Sequence, residues 1–232
     1  MIEMSPQRWQ SSLDYVRAVF AAERGGLNGL ASRAAAAGLP DIAVTPETGR
    51  FLMILAATSG GGRGARRALE IGTLGGYSAL WIARGLAADG RLITLEPEPA
   101  HAAFAAREFA AAGERRIELR RARALDEFPR LAAEFGPESF DFVFADAIKT
   151  EYEAYFEWAR VHLRPGGVFA AHNALGSNTW WIDEAADEAA RAQRDAIDRF
   201  NRGVAGDPDF DAVVLPLPQG LLVARRRHAP DV

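Results

Sequence analysis

The residues best suited to chemistry stand where apolar runs end. Phe140-Asp-Phe-Val-Phe-Ala145 runs into Asp146, and Lys149 follows three positions later. Gly167-Val-Phe-Ala-Ala171 runs into His172 and Asn173, and Arg91-Leu-Ile-Thr-Leu95 into Glu96. Arg67-Ala-Leu-Glu-Ile71 runs into the turn Gly72-Thr-Leu-Gly-Gly76. Lys149 is the only lysine among 27 basic residues, the other 26 being arginine. A bias toward Ala, Gly and Arg accounts for the imbalance, and it makes the exception informative. Arginine replaces lysine wherever a surface charge suffices, but not where an amine must give up its proton. A carboxylate, an amine and an imidazole near one another can move protons or hold a cation. Glycines after a strand let a ligand approach the backbone, and an acidic residue roughly 20 positions on can take a ribose diol. Glu96 lies 24 positions after Gly72. Leu74 stands where a dinucleotide fingerprint needs glycine. An adenosine group without a pyrophosphate therefore fits better than a nicotinamide dinucleotide, and a hydride-transferring dehydrogenase is the weaker reading. A plain strand-to-helix turn would look similar.

The elements that must position these residues alternate along the chain. Strands are expected at 67–71, 91–95, 117–119, 140–145 and 167–171, with helices at 77–86, 99–112, 125–135 and 152–162 between and after them. A long helix over 182–200 precedes two β-rich runs, 211–215 and 220–224, split by Pro216-Leu-Pro218-Gln219. Before the first strand, three helices are expected: Pro6 to about Arg24, Leu27 to Ala37, and one opened by Pro46 and broken at Gly60-Gly61-Gly62. The first carries Trp9, Leu13, Val16 and Phe20 at helical spacing, as if facing a core. The fold class is therefore α/β. It is a doubly wound, mostly parallel, seven-stranded Rossmann-like sheet with a C-terminal antiparallel hairpin and an N-terminal helical cap. We read one domain, with residues 1–62 as cap and 63–232 as core. In such sheets ligands bind beyond the carboxyl ends of the strands, where Gly72, Glu96, Asp146, His172 and Asn173 would gather.

Composition narrows the function. The 232 residues carry a net charge of −4, against a nucleic-acid-binding surface. With no cysteine, disulfide scaffolds, thiolate zinc and cysteine nucleophiles are excluded. No secretory signal and no run of about 18 apolar residues is present, so a cytoplasmic protein without membrane partners is expected. Arg225-Arg226-Arg227-His228 reads as a short solvated tail, and the five arginines between Arg115 and Arg123 as a solvated edge.

Leu69-Glu-Ile-Gly-Thr-Leu-Gly-Gly-Tyr-Ser78 resembles the first motif of class I S-adenosylmethionine-dependent O-methyltransferases, in particular the catechol and caffeoyl-coenzyme A type. Val44-Thr-Pro-Glu, Glu96, Phe140 to Asp146, Lys149, Tyr152, Tyr155 and Leu163-Arg-Pro-Gly-Gly167 are similar to that family in order and spacing, as are Phe200-Asn-Arg202, Asp207-Pro208 and Leu221 to Arg225. The resemblance spans about residues 40–226. It implies that S-adenosylmethionine is held by Val44, Glu70, Gly72, Thr73, Ser78, Glu96 (on the ribose), Ala124 (at the adenine) and Asp146. It implies Lys149 as the general base acting on a phenolic hydroxyl of a small aromatic acceptor, and a homodimer. A phenol ionises only near pH ~10, so a base, cation or metal must favour the phenolate.

The resemblance also implies a divalent metal, commonly magnesium, on an Asp/Asp/Asn set of oxygens. Here the candidates are Asp146, His172 and Asn173. Magnesium prefers oxygen ligands, whereas imidazole suits zinc, iron, nickel or copper. His172 is thus open to several readings: ligand of a softer metal, member of a weakened magnesium site, catalytic base or donor in a metal-free centre, or a structural side chain. Asp146-Ala-Ile148-Lys149 lacks the second carboxylate of the family's Asp-Ala-Asp-Lys, which points to a reshaped acceptor pocket. Two other readings stay open: a metal-independent methyltransferase acting on a hydroxyl, carboxylate or nitrogen, and a cofactor-binding partner protein without turnover. Trp180-Trp181 could wall an aromatic acceptor or pack elsewhere. Asp183, Glu184, Asp187 and Glu188 read as a charged helix face, and His101 and His162 as background.

Overall fold

The computed structural model describes residues 5–176 and 187–228. Three helices precede the sheet: α1 (Pro6–Phe20), α2 (Leu30–Ala36) and α3 (Pro46–Gly62). The remainder alternates as β1 (Ala65–Ile71), α4 (Tyr77–Arg84), β2 (Leu86–Leu95), α5 (Pro99–Ala111), β3 (Ile117–Arg120), α6 (Ala124–Phe135) and β4 (Phe140–Ala145). It continues through α7 (Tyr152–His162), β5 (Leu163–His172), α8 (Glu188–Gly206), β6 (Phe210–Leu215) and β7 (Leu221–Arg226). The seven strands form one sheet in the order β3-β2-β1-β4-β5-β7-β6. The first five are mutually parallel, and β7 runs antiparallel to both its neighbours. Strand order reverses between β1 and β4, which opens a crevice at their carboxyl ends.

Strands buried on both faces explain the apolar runs. Ala68, Phe142, Phe144, Val168 and Ala170 point into one core with Leu52 of α3, Trp81 of α4, and Phe104 and Phe109 of α5. Their neighbours Leu69, Ile71, Val143, Ala145, Phe169 and Ala171 point into the other, with Leu131 of α6, Tyr155 and Phe156 of α7, and Phe200 of α8. The alternation is the period of two that an extended chain imposes. A register shift between Phe140 and Phe142 interrupts it, and leaves Asp141 buried but satisfied by the N–H groups of Arg66 and Arg67 and by Arg164.

The structure corrects several boundaries. Strand β2 starts at Leu86 because Ala65 pairs with Leu86 before a register shift, and β5 starts at Leu163, which pairs with Phe140. The second expected helix is split, with a 3₁₀ turn at Gly25–Leu27 and α2 starting only after Gly29, whose φ of +68° is non-helical. The basic run is no tail. Arg225 and Arg226 close β7, Arg226 donates to the Leu163 carbonyl, and Arg227 pairs with Asp211. The arginine edge is an ion-pair network, Arg116 with Glu114, Arg120 with Glu118, Glu127 and Glu134, and Arg123 with Glu151. No residue of α1 is buried, and Trp9, Val16 and Phe20 are exposed, so its apolar stripe faces no core. Trp180, Trp181, Asp183 and Glu184 lie outside the described residues. Among the described residues no helix is long and apolar enough to cross a membrane.

Candidate active site

A cavity of about 600 Å³ lies at the β1/β4 crevice, roofed by residues 40–44 and by α2. Gly72, Thr73, Ser78, Glu96, Asp146, Lys149, Asn173 and Val44 line it, so eight of the expected site residues converge there. The backbone dictates two of them. Gly72 has φ +98°, and a Cβ there would collide with the carbonyl oxygen of Asp146; only glycine lets β1 and β4 close so tightly. Leu74 takes φ +48°, and its N–H donates to Glu96 Oε2 at 2.8 Å. Glu96 Oε1 takes the N–H of Glu98 at 3.0 Å, which fixes the carboxylate at the end of β2.

Behind this wall the side chain of Glu70 is fully buried. The Thr94 hydroxyl lies 2.5 Å from Glu70 Oε2 and Thr73 lies 2.5 Å from Thr94, whereas Oε1 meets no hydrogen-bond partner. Burial pushes the Glu70 carboxyl up to about 8, with the Ser78 and Thr94 hydroxyls opposing the rise. A deeply buried carboxyl beside a cavity, with one oxygen free of a hydrogen bond, fits a cationic group of a ligand on which it would ionise.

A cluster of hydrogen-bonded ionisable groups stands across the crevice. Lys149 lies on the 3₁₀ turn Lys149–Glu151 that links β4 to α7. Its Nζ donates to Asp146 Oδ1 at 2.8 Å and to the Tyr152 hydroxyl at 2.8 Å. Tyr152 is fully buried and in turn faces the carbonyl of His172 at 3.1 Å. Burial would raise the Asp146 carboxyl, but Lys149 and His172 outweigh it and bring it down to about 2.

Besides Glu70, two expected site residues stand apart from the lining. His172 is buried behind Asp146, with its Nδ1 3.2 Å from Asp146 Oδ2 and its Nε2 3.3 Å from the Pro218 carbonyl. Ala124 opens α6 and is absent from the cavity wall. His101, read from sequence as background, lines the cavity, as do Tyr77 and Gln219, to which the sequence assigned no role. His101 Nδ1 lies 3.6 Å from Glu96 Oε1, and its place in the first turn after β2 was the available signal. Gln219 belongs to the β6–β7 loop, which docks on the end of β5 through Leu175 N–H to the Gln219 carbonyl and Ala174 N–H to Gly220. No local pattern announces that docking. His162 is structural, stacked on Trp158 and bonded to its carbonyl.

The O-methyltransferase family model matches residues 19–227. The chain belongs to the O-methyltransferase family. A catechol O-methyltransferase of Niastella koreensis is 35% identical over 92% of this chain and 93% of its own. A catechol O-methyltransferase of Mycobacterium tuberculosis is 46% identical over 60% of each chain. Among solved structures, a Bacillus cereus O-methyltransferase in complex with S-adenosylhomocysteine superposes with a TM-score of 0.83 at 35% identity, covering 95% of this chain and 99% of that one. TomG of Streptomyces achromogenes, an O-methyltransferase involved in tomaymycin synthesis and solved with S-adenosylmethionine, gives a TM-score of 0.81 at 34% identity, covering 97% and 100%. The doubly wound sheet with its C-terminal antiparallel pair is the architecture of this methyltransferase family. The protein is an S-adenosylmethionine-dependent O-methyltransferase, and its cavity fits that cofactor: a fixed carboxylate at the end of β2, a buried carboxyl on β1 with one oxygen free of a hydrogen bond, and a glycine turn after β1.

Proposed function

We propose that this enzyme methylates a phenolic hydroxyl of a small aromatic acceptor, with Lys149 as general base. The observation that carries the reading is the one lysine of the chain lining the cavity, bonded to an ionised Asp146 and to Tyr152. S-adenosylmethionine, when bound, would supply an electrophilic methyl group on a sulfonium sulfur for transfer to a phenolate oxygen. Glu96, held by two backbone N–H groups, takes the ribose hydroxyls, and the buried Glu70 carboxyl takes the ammonium of the methionine part on its free Oε1. Gly72, Thr73, Ser78 and Val44 shape the space between, while Ala124 at the adenine rests on the family resemblance alone. Lys149 Nζ receives the phenol proton. Asp146 keeps Nζ in place through the transfer. Leu30, Ala34, Ile42 and Ile148 give the cavity apolar walls suited to an aromatic ring.

Lys149→Met is the test. Methyl transfer to phenols such as catechol or caffeic acid should fall at least 100-fold, the scale of general-base catalysis, while affinity for S-adenosylhomocysteine stays within threefold. Unchanged transfer would sink the base assignment. The same reading includes a homodimer: Trp9, Tyr15, Val19 and Phe20 expose an apolar face on α1 that a second copy would cover, and sedimentation equilibrium reads the mass.

A further inference from the structure

His172 is the residue at the sheet end that the methyl-transfer reading leaves without a task. The family resemblance implies a divalent ion on oxygens at this place, and the donor set found here does not suit one. His172 Nδ1 is directed at Asp146 Oδ2, in hydrogen-bonding geometry, across 3.2 Å. An ion in line between a nitrogen and an oxygen needs about 2 Å to each, roughly 4 Å in all, so this gap holds a proton and no more. The opposite ring nitrogen faces the Pro218 carbonyl at 3.3 Å, so the ring is clamped between two acceptors. The second oxygen of Asp146 is taken by Lys149, and Asn173 Nδ2 donates to Gln219 Oε1 at 3.0 Å. No group of three His, Cys, Asp or Glu side chains suited to a metal occurs among the described residues. Imidazole is also a poor match for magnesium, which demands an oxygen octahedron.

We propose that His172 does here what a divalent ion does at an Asp/Asp/Asn centre, and that this enzyme transfers methyl groups without a divalent cation. His172 is a positioning residue. Only 3% of its side chain is exposed and it does not line the cavity, so it acts through Asp146. By holding Oδ2 it turns Oδ1 toward Lys149, and the contact of its other ring nitrogen with the Pro218 carbonyl fixes the ring in that orientation. The acceptor then needs no pair of adjacent oxygens to chelate an ion. A phenol with one hydroxyl becomes a substrate class on the same footing as a catechol. The catalytic half of this inference rests on the phenol-methylating reading, whereas the ion-binding half does not.

The experiment compares the wild-type protein, saturated with S-adenosylhomocysteine, with His172→Asp, which restores the oxygen set. Both are titrated with Mn²⁺ and followed by electron paramagnetic resonance. Wild type should show no saturable Mn²⁺ site below millimolar concentration. His172→Asp should bind Mn²⁺ at least tenfold more tightly, a gain that loss of a merely structural side chain would not produce. In parallel, wild-type transfer to catechol and to a monohydroxy phenol should stay within twofold after chelation with EDTA. A micromolar Mn²⁺ site in wild type, or activity lost to EDTA and restored by Mg²⁺, would overturn the proposal. A folded His172→Asp that gains no Mn²⁺ affinity would also overturn it, by showing that His172 is not what keeps the ion out. If His172→Asp does not fold, the wild-type titration and the chelation assay decide the question alone. If no phenol is methylated at all, the phenol reading fails while the Mn²⁺ titration still reports on the ion.

Discussion

Replacing Glu70 with glutamine keeps the shape of a buried side chain and removes its titration. Glu70 is fully buried, its Oε1 meets no partner, and burial lifts its carboxyl to about 8 from an ordinary 4.5. Between those two values the native state holds a proton that the unfolded chain has released. The stability contributed by the protonated form is therefore complete below pH 4.5 and is lost as pH rises toward 8. From pH 6 to pH 8 the linkage relation puts this loss at about 2 kcal/mol. Glu70→Gln should be free of it, so the stability of the variant relative to wild type should rise by about 2 kcal/mol over that interval. Urea unfolding of both proteins at pH 6, 7 and 8, at matched ionic strength and without cofactor, gives the comparison directly. Unfolding free energies that run parallel for the two proteins would refute the reasoning, because Glu70 would then titrate alike in the native and unfolded chains. If Glu70 also receives the cofactor's ammonium, it must ionise on binding. Wild type should then release close to one proton per molecule bound at pH 7, read by calorimetry in buffers of different ionisation heat, and Glu70→Gln should release none.

Tyr152→Phe removes the hydroxyl that bonds Lys149 and faces the His172 carbonyl. It should destabilise the fold by about 1–3 kcal/mol in thermal or urea unfolding and lower kcat while leaving cofactor affinity unchanged. Gly72→Ala combines a φ of +98° with a collision against the Asp146 carbonyl. The backbone strain alone costs about 1–3 kcal/mol, and S-adenosylhomocysteine affinity should drop at least tenfold by calorimetry. An unaltered Kd for Gly72→Ala would show that the β1/β4 closure is not what shapes the site.

The sheet was legible because each strand carries its own signal. Phe140–Ala145 and Tyr152–His162 have in the structure the bounds read from the sequence, since a run apolar except for Asp141 and a helical stripe each end on polar residues. The polar ring was legible for the same reason, because doubly wound topology brings strand ends together whatever their order in the chain. Depth was not. Sequence places Glu70, His172 and Lys149 near one crevice, but only packing decides that the first two sit behind the wall and the third in it. The outward face of α1 illustrates the same limit: periodicity tells which residues share a stripe, not what the stripe meets. The Gln219 loop escaped notice because its contacts with Ala174 and Leu175 join segments that are more than 40 positions apart.

A lone ε-amine also makes the protein chemically addressable. Guanidinium groups do not react with mild acylating reagents, so an N-hydroxysuccinimide ester finds one side-chain target, Lys149, which is 13% exposed within the cavity. Mass spectrometry that separates the Lys149 adduct from the one on the α-amino group turns occupancy of the cavity into a protection assay that needs neither turnover nor a known acceptor. Amine coupling through this side chain to a sensor chip, by contrast, would tether the protein through its own active site.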